Sequence, residues 1–133
     1  RARAEFSRIL RPSGAIVLIW NERQLDTTPF LIDYEQFLLK YAIDYEKARH
    51  ENVDQRALRE FFGNDYHAAT FPNLQEFDFA GLRGRLLSAS YMPSETDAIF
   101  GQMTEDLRVL FAKHNENDRI KVFYDTNVYC ARA

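Results

Sequence analysis

The alternation of apolar and polar residues lays out the chain as helices and strands in turn. From Glu5 to Arg11, Phe6, Ile9 and Leu10 fall on one helical face and Arg8 and Arg11 lie off it, which predicts an amphipathic helix. Pro12, Ser13 and Gly14 should stop that helix, with Gly14 free to take the positive φ of a tight turn. The apolar run Ala15 to Trp20 follows, carrying β-branched Ile16, Val17 and Ile19. It is too short for a helix and lacks polar alternation, so it predicts a strand covered on both faces.

Thr27 or Thr28 can cap a long helix with Pro29 in its first turn, running from Phe30 to about His50 with Leu31, Tyr34, Leu38, Tyr41 and Tyr45 on its apolar stripe. A bend or end is expected near Ala48. Asn52 or Asp54 should cap a second helix, from about Asp54 to Phe62, stopped by Gly63 and Asn64. Tyr66 to Phe79 reads as a strand interrupted at Pro72-Asn73, which suits an edge strand or a bulge. Asp78 then caps a helix to about Ala89, and a further helix spans about Glu95 to Lys113, with Ile99, Met103, Leu107 and Leu110 buried. After a turn at Asn115 to Asp118, Ile120 to Ala131 alternates in the manner of an antiparallel strand, with Ile120, Val122, Tyr124, Thr126, Val128 and Cys130 on one side.

The helix–turn–strand from Glu5 to Asn21 resembles the late segment of class I S-adenosylmethionine-dependent methyltransferases. Glu5, Arg8, Ile9, Leu10, Arg11, Pro12 and Gly14 match that pattern, and Ser13 stands where the family has a first glycine. Arg85-Leu86-Leu87-Ser88-Ala89-Ser90-Tyr91-Met92-Pro93 and Tyr124-Asp125-Thr126-Asn127-Val128-Tyr129 resemble the branch with small organic substrates. The resemblance implies an α/β fold: the C-terminal part of a Rossmann-like sheet, here a three-stranded mixed sheet with helices, whose last strand is antiparallel and central. Residues 1–133 would be a single partial domain, the C-terminal half of a methyltransferase domain, with 28–63 a helical lid. S-adenosylmethionine would be the donor of the intact protein. Its ribose and methionine contacts would lie upstream, so no cofactor-binding residue is expected within these residues. No G-x-G occurs, and the five glycines are isolated.

Composition narrows the classes. With 133 residues, 46% hydrophobic and 14% aromatic content, the chain can bury a core. A net charge of −3 gives no reason to expect nucleic acid, and the basic stretch Arg1 to Arg11 reads as a solvated helix face. Lone Cys130 cannot form an internal disulfide. His50, His67 and His114 lack metal-ligand spacing, so no metal is expected. No apolar run approaches the roughly 20 residues of a spanning helix, so no membrane partner and a cytoplasmic location are expected.

In open α/β sheets ligands bind beyond the carboxyl ends of the parallel strands. That rim should gather Trp20 to Arg23, Glu76 to Asp78 and Arg119 to Phe123. Methyl transfer depends chiefly on holding two reactants in line, so acid–base residues need not stand out and no catalytic residue is assigned. Asn21 and Arg23 are candidates to orient a polar or anionic acceptor. Arg85, Ser88, Ser90 and Tyr91 form a donor-rich cluster suited to a carboxylate. The expected partners are a small-molecule methyl acceptor and further copies of the chain, joined through the exposed edge of the Ala15–Trp20 strand. The rival expectation is a non-catalytic α/β module that self-associates or binds a partner and never holds the cofactor.

Overall fold

The computed structural model describes residues 2–45 and 54–132. Its elements are α1 (Ala2–Ile9), β1 (Ala15–Arg23), α2 (Pro29–Tyr41), α3 (Gln55–Phe62), β2 (His67–Phe77), α4 (Phe79–Leu87), α5 (Phe100–His114) and β3 (Ile120–Arg132). The protein is mixed α/β. Its three strands form one open antiparallel sheet in the order β1-β3-β2, with the last strand in the middle as expected. The expected mixed sheet is not found. Each hydrogen-bonded neighbour of β3 runs against it, so no parallel strands are paired.

By its contacts the chain divides into two units, Arg1–Glu22 with Asn52–Asn73 and Tyr124–Ala133, and Arg23–Glu51 with Leu74–Phe123. The two helices expected to form one lid over 28–63 fall in different units.

In the first unit, α1 ends where Leu10 N–H bonds the Phe6 carbonyl at 3.0 Å, and a turn follows. Here the expectation for glycine is corrected. Ser13, not Gly14, takes the positive φ, at 66°. Gly14 is required for a different reason: a Cβ there would stand 2.9 Å from the Arg11 carbonyl oxygen and 3.2 Å from the Leu10 side chain. One face of the sheet is closed by a continuous file of rings. Trp20 stacks on Tyr129 with centroids 4.8 Å apart, Tyr129 meets Tyr66, Tyr66 meets Phe62, and Phe61 joins Phe62 to Phe6. The opposite face carries a polar row, in which Thr126 Oγ1 donates to Asn21 Oδ1 at 2.6 Å and Asn73 Nδ2 donates to Thr126 Oγ1 at 3.2 Å. Strand alternation puts Val17, Ile19 and Phe71 on this same face. They are 49%, 63% and 54% exposed, which overturns the expectation that β1 is covered on both sides.

Tertiary context also redraws the strands and caps. β2 runs unbroken through Pro72, which an edge strand tolerates because one side of its backbone needs no partner. In β3 the expected alternation holds for Ile120, Val122 and Tyr124, then fails: Asn127 and Ala131 are buried while Thr126, Val128 and Cys130 are only half-buried. The ring file covers the face that Tyr129 belongs to, so burial changes sides there. Asp54 caps α3 through Ala57 N–H at 2.7 Å, and Gly63 ends it at φ 86°. The alternative cap at Asn52 and the expected bend near Ala48 lie outside the described residues.

In the second unit α2 packs on α5 and α4 on α5. Leu31, Phe37, Leu38, Leu82, Leu86, Met103, Leu107, Ile120 and Val122 make its core. Lys40 reaches Asp106 at 2.8 Å, Tyr41 donates to the same carboxylate, and Lys113 reaches Asp33 at 2.7 Å, so ion pairs tie α2 to α5 at two places. α2 stops at Tyr41, short of the expected His50: Ala42 turns extended and Ile43 N–H bonds the Tyr91 carbonyl at 2.8 Å instead of continuing the helix. α5 begins at Phe100 rather than Glu95. Ser94 N–H and Oγ both bond Asp97 Oδ2, a local turn that competes with helix, and Ile99 is left exposed.

Candidate functional site

The end of β1 in the second unit is a closed polar knot. Thr28 Oγ1 accepts from Leu31 N–H at 3.2 Å and starts α2, whose buried stripe then includes Glu35. Arg23 Nη2 lies 2.5 Å from Glu35 Oε2, and both side chains are nearly buried. Tyr45 Oη donates to the same Glu35 oxygen and accepts from Arg23 Nη2, each at 2.8 Å. The guanidinium also sits 5.1 Å over the Tyr34 ring. Burial pulls the Arg23 guanidinium down, but Glu35 with Tyr45 and Tyr34 outweighs it and holds it above its ordinary value. Burial, opposed by Arg23 and reinforced by the Glu35 bond, pushes the Tyr45 phenol up to about 12. The knot therefore holds an arginine cation, a carboxylate and a neutral phenol at neutral pH.

A cavity of about 560 Å³ opens at the start of β3 within the same unit. Phe30, Ile120 and Phe123 give it apolar wall, while Glu76, Lys121, Glu116 and Arg119 bring charge. His114 joins the wall from the last residue of α5. Its Nε2 meets Asp33 Oδ2 at 2.7 Å, and its ring stands edge-on to Phe30 at 5.8 Å. The Asp33 carboxylate can only accept, so His114 Nε2 is the donor in this bond. Lys113 and then His114 hold the Asp33 carboxyl below its ordinary value.

The six sequence candidates are dispersed. Asn21 belongs to the first unit, in the polar row with Thr126 and Asn73. Arg23 has its donor fork directed to Glu35 and Tyr45. Arg85 and Ser88 are exposed and adjacent, with Arg85 Nη1 3.4 Å from Ser88 Oγ, and Ser88 Oγ donates to the Arg85 carbonyl at 2.8 Å, which closes α4. Ser90 is exposed. Tyr91 is half-buried with its ring 5.3 Å from that of Tyr45. None of the six lines the cavity. Of the expected rim, Glu76, Arg119, Ile120, Lys121 and Phe123 line it, while Trp20 to Arg23, Phe77, Asp78 and Val122 do not.

Sequence reasoning placed Tyr45 on an apolar stripe and considered His114 only as a metal ligand, and it did not single out Glu35 or Asp33. Glu35 had a readable signal, because it interrupts the apolar stripe of α2, and it is only 7% exposed. The Asp33–His114 pair joins residues 81 apart and has no local signal.

Compared with protein-family models and with curated proteins, the chain matches none. Among the described residues no group of three or more His, Cys, Asp or Glu is placed to hold a metal ion, and no helix is long and apolar enough to cross a membrane.

Proposed function

We propose that this chain is the acceptor-side part of an S-adenosylmethionine-dependent methyltransferase acting on a small organic molecule. The observation that carries the reading is the strand order: a final antiparallel strand inserted between β1 and β2, preceded by the helix–turn–strand of the family motif. A Rossmann-like sheet with its last strand inside is what that order extends to when parallel strands are added beside β1.

The described residues do not themselves fit the donor. A glycine-rich loop that admits close approach of a ligand is lacking among them: Gly63 caps α3, Gly81 and Gly84 lie in α4 and Gly101 in α5, and a Cβ at Gly14 would meet Arg11 and Leu10. What these residues supply is the acceptor cavity at the rim. The Arg23–Glu35–Tyr45 knot fixes α2 against the end of β1, and Phe30 with Phe123 excludes water. Positioning of this kind supplies much of the rate of an in-line displacement.

The test is transfer of labelled methyl groups from S-adenosylmethionine, over a panel of small molecules, by the product of the whole reading frame containing this chain. Transfer that is lost on deleting residues 15–23 supports the reading. An in-frame product without any strand and G-x-G-type loop, and without transfer, overturns it. In that case the second reading holds, a self-associating module, which the exposed Val17, Ile19 and Phe71 favour.

A further inference from the structure

We propose that the cavity at the start of β3 binds a small α-amino acid with an apolar side chain, held by its two charges at the turn of residues 116–119. Glu116 N–H bonds the Arg119 carbonyl at 2.9 Å, and Arg119 N–H bonds the Glu116 carbonyl at 3.0 Å. Between them Asn117 and Asp118 sit at φ 52° and 59°. Two positive φ values in a doubly bonded two-residue loop define a type I′ turn, which is stiff and has one register. Residues paired across such a turn put their side chains on one face, with Cβ atoms about 5 Å apart.

Opposite charges so placed ordinarily pair with each other. Among the described residues neither Glu116 nor Arg119 makes an ion pair, and both line the cavity. The turn thus offers a carboxylate and a guanidinium side by side, which matches an ammonium and a carboxylate carried on one carbon. The remaining two charges at the cavity, Lys121 and Glu76, already face each other at 3.9 Å. Beyond the turn the wall is Pro29, Phe30, Ile120 and Phe123, which suits an aliphatic or aromatic side chain. At about 560 Å³ the cavity is within the usual range of small-ligand sites, roughly 300–1,000 Å³.

That the amino acid is also a methyl acceptor rests on the reading above; that it binds does not. The binding test follows the ring signals of His114 by NMR in the full chain during titration with L-phenylalanine, 3-phenylpropanoate and 2-phenylethylamine. L-phenylalanine should bind at least about tenfold more tightly than either singly charged analogue, the value of one charge-assisted contact. Arg119→Gln should bring it to the level of the amine, and Glu116→Gln to that of the acid. Both positions are exposed, and unchanged thermal melting of each variant shows that folding is kept. Equal binding of the three probes, no response of His114 to any of them, or insensitivity to both substitutions overturns the proposal. Phenylalanine binding without methyl transfer by the whole gene product leaves the site standing and removes the methyltransferase reading. Transfer to other acceptors without phenylalanine binding does the reverse.

Discussion

Arg23, the last residue of β1, holds Glu35 of α2 at 2.5 Å, and the two nearly buried charges have Tyr45 as a shared partner. Removing one member leaves the other without its counter-charge at a nearly buried position. Arg23→Met or Glu35→Gln should cost about 3–5 kcal/mol, whereas the double variant Arg23→Met with Glu35→Leu should regain most of that loss. Urea unfolding of the three variants decides it. A double variant no more stable than the worse single one would show that the pair contributes net stability in itself.

The α1–β1 turn carries an L-residue where φ is positive. Ser13→Gly should relieve that strain and raise stability by up to about 1 kcal/mol, because an L side chain in this region costs about 1–2 kcal/mol and glycine returns part of it as unfolded-state entropy. Gly14→Ala should do the opposite and lower the melting temperature, since its methyl group meets the Arg11 carbonyl at 2.9 Å. If both substitutions move the melting temperature in the same direction, this account of the turn is mistaken.

Asp106 sets an acid limb. Lys40, then Tyr41 and Gln102, hold its carboxyl down at about 2, against about 3.9 for an unfolded chain. The unfolded state therefore takes up the proton first. The contribution is complete above about pH 4 and is lost as pH falls towards 2. Stability measured by denaturant titration should slope upward with pH over that window, and the slope should flatten in Asp106→Asn. Asp33, lowered by Lys113 and His114, adds to the same limb.

Asp78 accepts from Gly81 N–H at 2.7 Å and starts α4. Asp78→Ala should cost about 1 kcal/mol, and Asp78→Ser should restore most of it, because either side-chain oxygen satisfies the same free amide. Thermal melts of both variants give the comparison.

The uncovered sheet face should drive self-association. Sedimentation of the chain at micromolar concentration is expected to show oligomers, and Ile19→Lys with Val17→Lys to shift the population to monomer. A wild-type chain that sediments as a monomer throughout removes this expectation.

Residues close in sequence settled the local outlines by themselves. Pro12 to Gly14 mark the end of a helix, Thr28, Asp54 and Asp78 cap the helices they precede, and the apolar run from Ala15 makes a strand, because caps, turns and short hydrophobic periods act within a few residues. Position-by-position burial needed the fold. Ser13 takes the positive φ of the turn, and Gly14 lies where a Cβ would meet the Arg11 carbonyl. α2 stops at Tyr41 because Ile43 finds a partner in Tyr91, and β3 changes its buried side where the ring file takes over. The cavity likewise joins Phe30, His114 and Arg119 from separate stretches of chain. Only tertiary contact decides which charges are neutralised and which are left to face a ligand, since electrostatic partners and desolvation depend on distance in space and not on separation along the sequence.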